Sequence, residues 1–169
     1  CIIFIMFGVT FLNMNTQLIS LFFAATGITI MAFIDDWRNL SPFARFGIQI
    51  LLAGVVVFSG TYAPAISNPF GNPIVLDSLQ WQVSIGSLAI TVIPLAFLFA
   101  IIWIVFVTNA MNWLDGSPGI VSGTSAIAAL TIYFLSSAKN LHVIDQSTLA
   151  GISLIIAGAA IAFLFFDFP

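Results

Sequence analysis

Apolar stretches long enough to cross a lipid bilayer recur along this chain, and they constrain its fold more than any other feature. A hydrocarbon core of about 30 Å requires about 20 helical residues. Only 5% of the 169 residues are charged, too few to cover the surface of a water-soluble domain. We therefore predict an all-α fold, a polytopic transmembrane helical bundle with about five complete spans. The predicted spans are Leu18–Ile34, Phe43–Gly60, Ser84–Val107, Gly119–Ser137 and Thr148–Phe166.

Both ends of the chain have the features of a fragment. The chain begins at Cys1 without methionine, and the apolar run Cys1–Leu12 is too short to span a bilayer, so it resembles the end of a truncated helix. At the other end, Pro169 follows an apolar run without a polar tail. No repeat or linker separates the spans. We expect residues 1–169 to be a single membrane domain that belongs to a longer chain and lacks both ends.

Loop parity and the few basic residues predict the orientation of the chain. The loops Asp35–Pro42 and Thr108–Pro118 are expected on the same side of the membrane, because successive loops alternate. Two arginines, Arg38 and Arg45, belong to that side, and Lys139 belongs to the other. Basic residues are enriched in cytoplasmic loops. Both loops are therefore predicted to be cytoplasmic.

The long loop Thr61–Val83 is predicted on the outer side. It is rich in proline, glycine and asparagine around the β-prone triplet Ile74–Leu76, a pattern typical of a small hairpin outside the hydrocarbon. Pro94 falls inside the next predicted span, Ser84–Val107. We expect a kink there, with neighbouring helices satisfying the freed carbonyl group.

Three of the six acidic residues are in the two predicted cytoplasmic loops. Asp35 and Asp36 close one predicted span, and Asp115 closes another. These positions are unfavourable, because a helix C-terminus carries a partial negative charge and adjacent carboxylates repel each other. Arg38 is expected to supply part of the compensating charge. A divalent cation would neutralise the cluster more completely, since Mg²⁺ typically binds one or two carboxylates together with substrate phosphates.

A polar ladder and two helix starts complete the predicted site. In helical geometry, the spacing of Asn109, Asn112 and Asp115 places each polar side chain beside the next. Ser41-Pro42 and Ser117-Pro118 are both typical of a serine N-cap followed by a proline at the first helical position. Free N–H groups at such helix starts suit phosphate. Carboxylates for a metal and helix starts for phosphate together predict a diphosphate site.

These motifs resemble those of the polyprenyl-phosphate N-acetylhexosamine-1-phosphate transferases. The resemblance covers nearly the whole chain. The residues that carry it are Asp35-Asp36-Trp37-Arg38-Asn39-Leu40-Ser41-Pro42 with Arg45 and Gln49, Asn109-x-x-Asn112-x-x-Asp115-Gly116-x-x-Gly119, the outer-loop string from Asn68 to Asp77, and the closing Asp167-Phe-Pro169.

The resemblance implies transfer of a sugar-1-phosphate from a UDP-linked amino sugar to a polyprenyl phosphate, with release of UMP. It implies Mg²⁺ or Mn²⁺ as cofactor, and as partners polyprenyl phosphate, a UDP-N-acetylhexosamine and the lipid bilayer. It also allows for a homodimer, and no basic stripe predicts nucleic-acid binding. The expected location is the inner membrane of a bacterium, with the active site on the cytoplasmic face.

The resemblance also assigns roles to individual residues. Asp35, Asp36 and Asp115 would be catalytic, and Asp36 and Asp115 would be metal ligands, with the principal ligand beyond residue 169. The fragment alone is therefore expected to be inactive. The implied substrate-binding residues are Asn109, Asn112, Gly116, Asp167 and Arg38.

The chain departs from the family pattern at three positions. Many members have an aspartate where Pro118 stands and an asparagine where Asp167 stands. The peptidoglycan branch often has a lysine where this chain has Asn39. That difference and the outer-loop string favour UDP-N-acetylglucosamine as the donor.

Two other classes of function remain open at this point. A transporter or channel would place acidic residues near the middle of the bilayer and would contain paired broken helices. A catalytically silent scaffold would keep the motifs without the reaction. Metal-dependent release of UMP by the full-length protein would separate all three hypotheses.

Overall fold

The computed structural model describes residues 15–85, 88–138 and 146–167, which fall into two compact units. The N-terminal unit is Asn15–Thr108, and the C-terminal unit comprises the described residues from Asn109 onward. The predicted truncated helix Cys1–Leu12 and the residue Lys139 lie outside the described residues. The elements are α1 (Thr16–Arg38), α2 (Pro42–Phe58), β1 (Ala65–Ile66), β2 (Ile74–Val75), β3 (Trp81–Ile85), β4 (Leu88–Val92), α3 (Pro94–Leu114), α4 (Ile120–Ser137) and α5 (Ser147–Asp167).

Four of the described helices are long and apolar enough to cross a membrane, which confirms the all-α membrane fold class. They are α1, α3, α4 and α5, with lengths of 18 to 23 residues. The helix α2 is also apolar, but it has 17 residues and so extends about 26 Å. It lies at the short end of the range of lengths that span a bilayer.

The prediction for the third span is wrong over its first residues. Strands β3 and β4 form an antiparallel hairpin in which Trp81 is opposite Val92, and α3 begins only at Pro94. An apolar segment rich in β-branched residues is compatible with a strand as well as with a helix, so hydrophobicity alone does not distinguish a strand from a helix here. Proline is favoured at the first helical position, where its missing N–H group is not needed. Pro94 therefore starts the helix and does not kink it.

The hairpin predicted in the loop Thr61–Val83 is confirmed by the pairing of β1 with β2, and its side of the membrane stays a prediction. Ala65 is opposite Val75, and Ile66 is opposite Ile74. Ile66 of β1 and Leu76, which directly follows β2, pack in the core of the N-terminal unit. In that core Phe97 packs edge-on against Phe58, with 5.2 Å between ring centroids. The buried members of that core are Val57, Leu76, Ile93, Ala96, Phe97 and Ala100.

Helices α1 and α2 pack closely along their lengths. A Cβ atom added to Gly27 would lie only 2.8 Å from Cδ2 of Leu52, so a larger residue there would require the Leu52 side chain to move. At the end far from the connecting turn, Nε2 of Gln17 donates a hydrogen bond to the carbonyl oxygen of Gly60, at 3.0 Å. The hydroxyl groups of Ser20 and Ser59 are 2.6 Å apart. These polar contacts hold the two helices together at that end.

Helices α4 and α5 of the C-terminal unit pack through small residues. The buried positions of each helix recur at spacings of three, four or seven residues, which places them on one face. Small side chains let helix backbones approach closely in a membrane, where apolar surface alone does not drive association. The buried residues are Ser122, Ala126, Ala129 and Ser136 in α4 and Ala150, Ser153 and Ala157 in α5.

Large apolar side chains on the outer faces of the helices suit a lipid environment. Phe23, Phe134 and Phe163 lie within the predicted spans and are each about 60% exposed. Aromatic side chains of this size are seldom left so open to water in a folded domain. Hydrocarbon would cover them without cost.

Cysteine labelling tests the predicted orientation. In full-length protein with its other cysteines replaced, Ser67→Cys in the hairpin predicted on the outer side should react with an impermeant maleimide added to intact cells. Asn39→Cys in the α1–α2 turn should react only after the membrane is permeabilised. Both positions are exposed, so access depends on the side of the membrane. Labelling of both positions in intact cells would contradict the orientation.

Candidate active site

The predicted pair of carboxylates lies in the last turn of α1, directly before a short connection. The helix ends at Asn39, which has a left-handed backbone conformation (φ 48°, ψ 70°) and donates its N–H group to the carbonyl oxygen of Asp35 at 2.8 Å. Asparagine tolerates this conformation better than most residues do. Residues 39–41 connect α1 to α2, so the pair is held beside a tight turn.

Asp35 uses both of its carboxylate oxygens to brace this turn. Oδ1 accepts the N–H group of Leu40 at 2.9 Å, and Oδ2 forms an ion pair with Nη1 of Arg45 at 3.0 Å. The prediction that Arg38 compensates the pair is wrong, because its guanidinium lies over the Trp37 ring, 5.7 Å from the centroid, as in a cation–π contact. Asp35 therefore has a structural role in this turn.

The neighbouring carboxylate is in a different environment. The side chain of Asp36 is exposed, and within the described residues no hydrogen bond or ion pair involves it. Its oxygens are thus accessible to a ligand. Mg²⁺ typically takes one or two protein carboxylates and completes its shell with phosphates and water, so Asp36 fits the chemistry of one such ligand.

The start of α2 follows the prediction. Ser41 is the N-cap, its Oγ accepts the N–H group of Ala44 at 3.3 Å, and Pro42 is the first helical residue. Arg45 is in the first turn of this helix, where the helix dipole disfavours a cation. A cation at this unfavourable position is a sign that it pairs with a carboxylate. We did not use this sign in the sequence analysis and so did not predict the pairing of Arg45 with Asp35.

The predicted polar ladder lies at the end of α3. Asn109 and Asn112 are within the helix, and the N–H group of Asp115 still bonds to the carbonyl oxygen of Met111 at 3.2 Å. The helical spacing of the three residues is therefore confirmed. Asn112, Asp115 and Gly116 are exposed. Their roles toward a substrate stay predictions, as does the substrate role of Arg38.

The start of α4 differs from the prediction. Ser117 is not the N-cap and Pro118 is not the first helical residue, because the chain makes a further turn and Gly119 becomes the N-cap (φ 75°, ψ −10°). Backbone bonds from Ser117 to Leu114 and from Ile120 to Ser117, at 3.2 and 3.3 Å, form this turn. A positive φ is readily adopted by glycine, which explains why the helix begins after Gly119.

A carboxylate lies at the helix start that was predicted to suit phosphate. Oδ2 of Asp167, the last residue of α5, accepts the N–H group of Gly119 at 3.0 Å and the hydroxyl group of Ser122 at 2.8 Å. The predicted phosphate position at the start of α4 is therefore wrong, because a negative side chain takes it. The sequence offered no signal for this contact, which joins residues 48 and 45 positions apart.

The metal-binding group and the convergence of the acidic residues are two parts of the predicted site that the structure does not confirm. In the described ranges, no three side chains of histidine, cysteine or acidic residues form a group that could hold a metal ion. Asp35 and Asp36 belong to the N-terminal unit and Asp115 to the C-terminal unit. Their convergence in one cleft stays a prediction.

Comparison with known proteins decides the family. The model of the glycosyl transferase family 4 matches residues 18–169. The chain belongs to glycosyl transferase family 4. No solved structure matches it. The predicted resemblance is thus confirmed over nearly the whole chain.

Several curated proteins are similar to the chain over part of their length. A "probable undecaprenyl-phosphate N-acetylglucosaminyl 1-phosphate transferase" of Bacillus subtilis is 28% identical, over 91% of this chain and 37% of the relative. A decaprenyl-phosphate N-acetylglucosaminephosphotransferase of Mycobacterium leprae is 31% identical, over 83% and 33%. A phospho-N-acetylmuramoyl-pentapeptide-transferase of Bacillus pumilus is 25% identical, over 93% and 46%. The chain thus spans a third to a half of these relatives.

The brace formed by Asp35 predicts a pattern of thermal stabilities. In the full-length protein, Asp35→Ala and Arg45→Ala should each lower the melting temperature, and the double variant should lose less than the sum. Because Arg45 is 38% exposed, the coupling should not exceed about 1 kcal/mol. Arg38→Ala is the matched control and should combine additively with Asp35→Ala. Additive losses for Asp35 and Arg45 would contradict the brace.

Proposed function

We propose that the full-length protein transfers a sugar-1-phosphate from a UDP-linked N-acetylhexosamine to a polyprenyl phosphate and releases UMP. The observation that carries this proposal is membership of glycosyl transferase family 4 over residues 18–169. The names of the similar curated proteins describe phospho-sugar transferases, two of which name a polyprenyl phosphate. The setting would be the bacterial inner membrane, with the site on the cytoplasmic face.

The two adjacent carboxylates would divide the work in this reaction. Asp35 is tied to Leu40 and Arg45, so it holds the turn in shape. Asp36 is exposed and is the residue available to a substrate or a metal. We propose that Asp36 orients the phosphate of the acceptor lipid, so that one of its oxygens is in line with the β-phosphorus of the donor. Arg38, which is exposed in the same helical turn, would bind phosphate.

The second part of the site would come from the end of α3. Asn109, Asn112 and Gly116 would line the nucleotide-sugar side, with Asp115 completing the catalytic set. Asp36 and Asp115 would hold Mg²⁺ or Mn²⁺, which would neutralise the phosphate charge as UMP leaves.

The positions of the acidic residues favour a transferase over a transporter. Asp35 and Asp36 are in the last turn of α1, Asp115 directly follows α3, and Asp167 is the last residue of α5. A transporter typically carries its acidic residues near the middle of the bilayer. All four of these acids stand at helix ends, where an aqueous nucleotide sugar meets a lipid acceptor.

The donor that we propose is UDP-N-acetylglucosamine. Overall identity does not separate the two donors, because a phospho-N-acetylmuramoyl-pentapeptide-transferase of Staphylococcus haemolyticus is 28% identical to the chain, as is the first N-acetylglucosamine relative. The choice is carried by Asn39 in place of lysine and by the outer-loop string. Turnover of the full-length protein with UDP-N-acetylglucosamine but not with the pentapeptide donor would support this choice, and the reverse would contradict it.

Replacing one exposed carboxylate tests the proposed reaction. In the full-length protein, Asp36→Asn should lower the rate of UMP release at least about 10²-fold, equivalent to about 2.7 kcal/mol of barrier. The amide keeps the size but removes the negative charge. The melting temperature should hold or rise slightly, because repulsion with Asp35 and with the helix C-terminus is relieved.

Asp77→Asn provides the matched control, since it is the same substitution in the outer loop. It should leave UMP release unchanged. Normal turnover by Asp36→Asn would remove Asp36 from the catalytic centre. A large loss of melting temperature in that variant would instead assign Asp36 a structural role.

A further inference from the structure

The start of α4 has no capping group of its own. Its N-cap, Gly119, has no side chain, and the preceding Ser117 and Pro118 are outside the helix. A helix start carries N–H groups without intrahelical partners and a partial positive charge. Without another acceptor, the first turn of α4 would be prone to fray.

The group that caps α4 is a side chain at the C-terminal end of α5. Oδ2 of Asp167 accepts two hydrogen bonds there, from the backbone of Gly119 at 3.0 Å and from the hydroxyl group of Ser122 at 2.8 Å. Ser122 is 4% exposed, so this contact is largely shielded from water. A negative charge at a helix N-terminus is favourable, and hydrogen bonds to a charged group are stronger than neutral ones.

This contact fixes one end of the segment that carries a proposed catalytic residue. Asp115 directly follows α3, and four residues later the chain reaches Gly119, where Asp167 holds it. Between these points, the turn is held by the short-range backbone bonds at Ser117 and Ile120. Loss of the Asp167 carboxylate would therefore release the C-terminal end of the turn that presents Asp115.

We infer that Asp167 is a positioning residue, which holds the turn 115–119, and with it Asp115, through Gly119 and Ser122. This differs from the role in substrate binding that the family resemblance implied. Oδ2 of Asp167 is already engaged by two hydrogen bonds within the protein. The consequence for catalysis rests on the proposed function, but the contact itself does not.

Mobility of the turn provides a test that does not depend on activity. A nitroxide label is attached at Ser117→Cys, an exposed position, in full-length protein whose other cysteines are replaced. Electron paramagnetic resonance should show greater label mobility with Asp167→Ala and a smaller increase with Ser122→Ala. Asp167→Asn should resemble the parent, because the amide oxygen can accept both hydrogen bonds.

The matched control for the mobility test is Ser125→Ala. This serine is in the same helix, but no hydrogen bond joins it to Asp167 within the described residues. Its replacement should leave the label unchanged. Unchanged mobility in Asp167→Ala would overturn the inference.

Donor kinetics test the catalytic consequence. With UDP-N-acetylglucosamine, kcat/KM should fall about 10-fold in Asp167→Ala and stay within about 3-fold of the parent in Asp167→Asn. Ser122→Ala should add little to the loss once Asp167 is alanine, because both changes act through one contact. The KM for polyprenyl phosphate should not change.

The outcomes separate the two proposals. A large change in donor KM for Asp167→Asn, with Ser122→Ala neutral, would indicate direct substrate contact and overturn the positioning role. If the parent protein releases no UMP with any UDP-sugar, the proposed function fails, and the label mobility alone then decides whether Asp167 holds the turn.

Discussion

The structure depends on one constraint: hydrocarbon offers no hydrogen-bonding partners to a peptide backbone. Each membrane-crossing segment must satisfy its own N–H and C=O groups, and a helix does so within one segment. Only the helix ends retain free groups, so the polar contacts that need specific partners collect there. In this chain the Asp35–Arg45 pair, the Gln17–Gly60 bond and the cap from Asp167 all lie at helix ends.

The same constraint explains why two adjacent aspartates differ. Within the last turn of α1, Asp35 points to the connecting turn and the start of α2, where an N–H group and a guanidinium need an acceptor. Asp36, one residue further around the helix, has neither neighbour. A helix advances about 100° per residue, so consecutive side chains face different surroundings even when their chemistry is identical. The position on the helix, rather than the residue type, decides that Asp35 holds the turn and that Asp36 stays accessible.

Much of the fold could be predicted from local signals in the sequence. Ser41-Pro42 correctly predicted the start of α2, and the triplet from Ile74 predicted a hairpin, because caps and turns depend on neighbouring residues. The start of α3 was misplaced, since an apolar run preceding Pro94 suits strand and helix alike. The start of α4 could not be predicted in the same way, because the Asp167 carboxylate that accepts the N–H group of Gly119 is 48 residues away in the chain. The pairing of Arg45 likewise required knowledge of which faces meet. Candidate site residues could be recognised by type, but their partners could not.

The short α1–α2 turn also limits how the chain can vary. Residues 39–41 fix not only the separation of the two helices but also the rotation of α2 about its axis. An insertion of one residue would change both, which would carry Arg45 away from Asp35. It would also displace Leu52 from Gly27, against which it packs. Related proteins that keep this ion pair should therefore tolerate substitutions in the turn but not changes in its length.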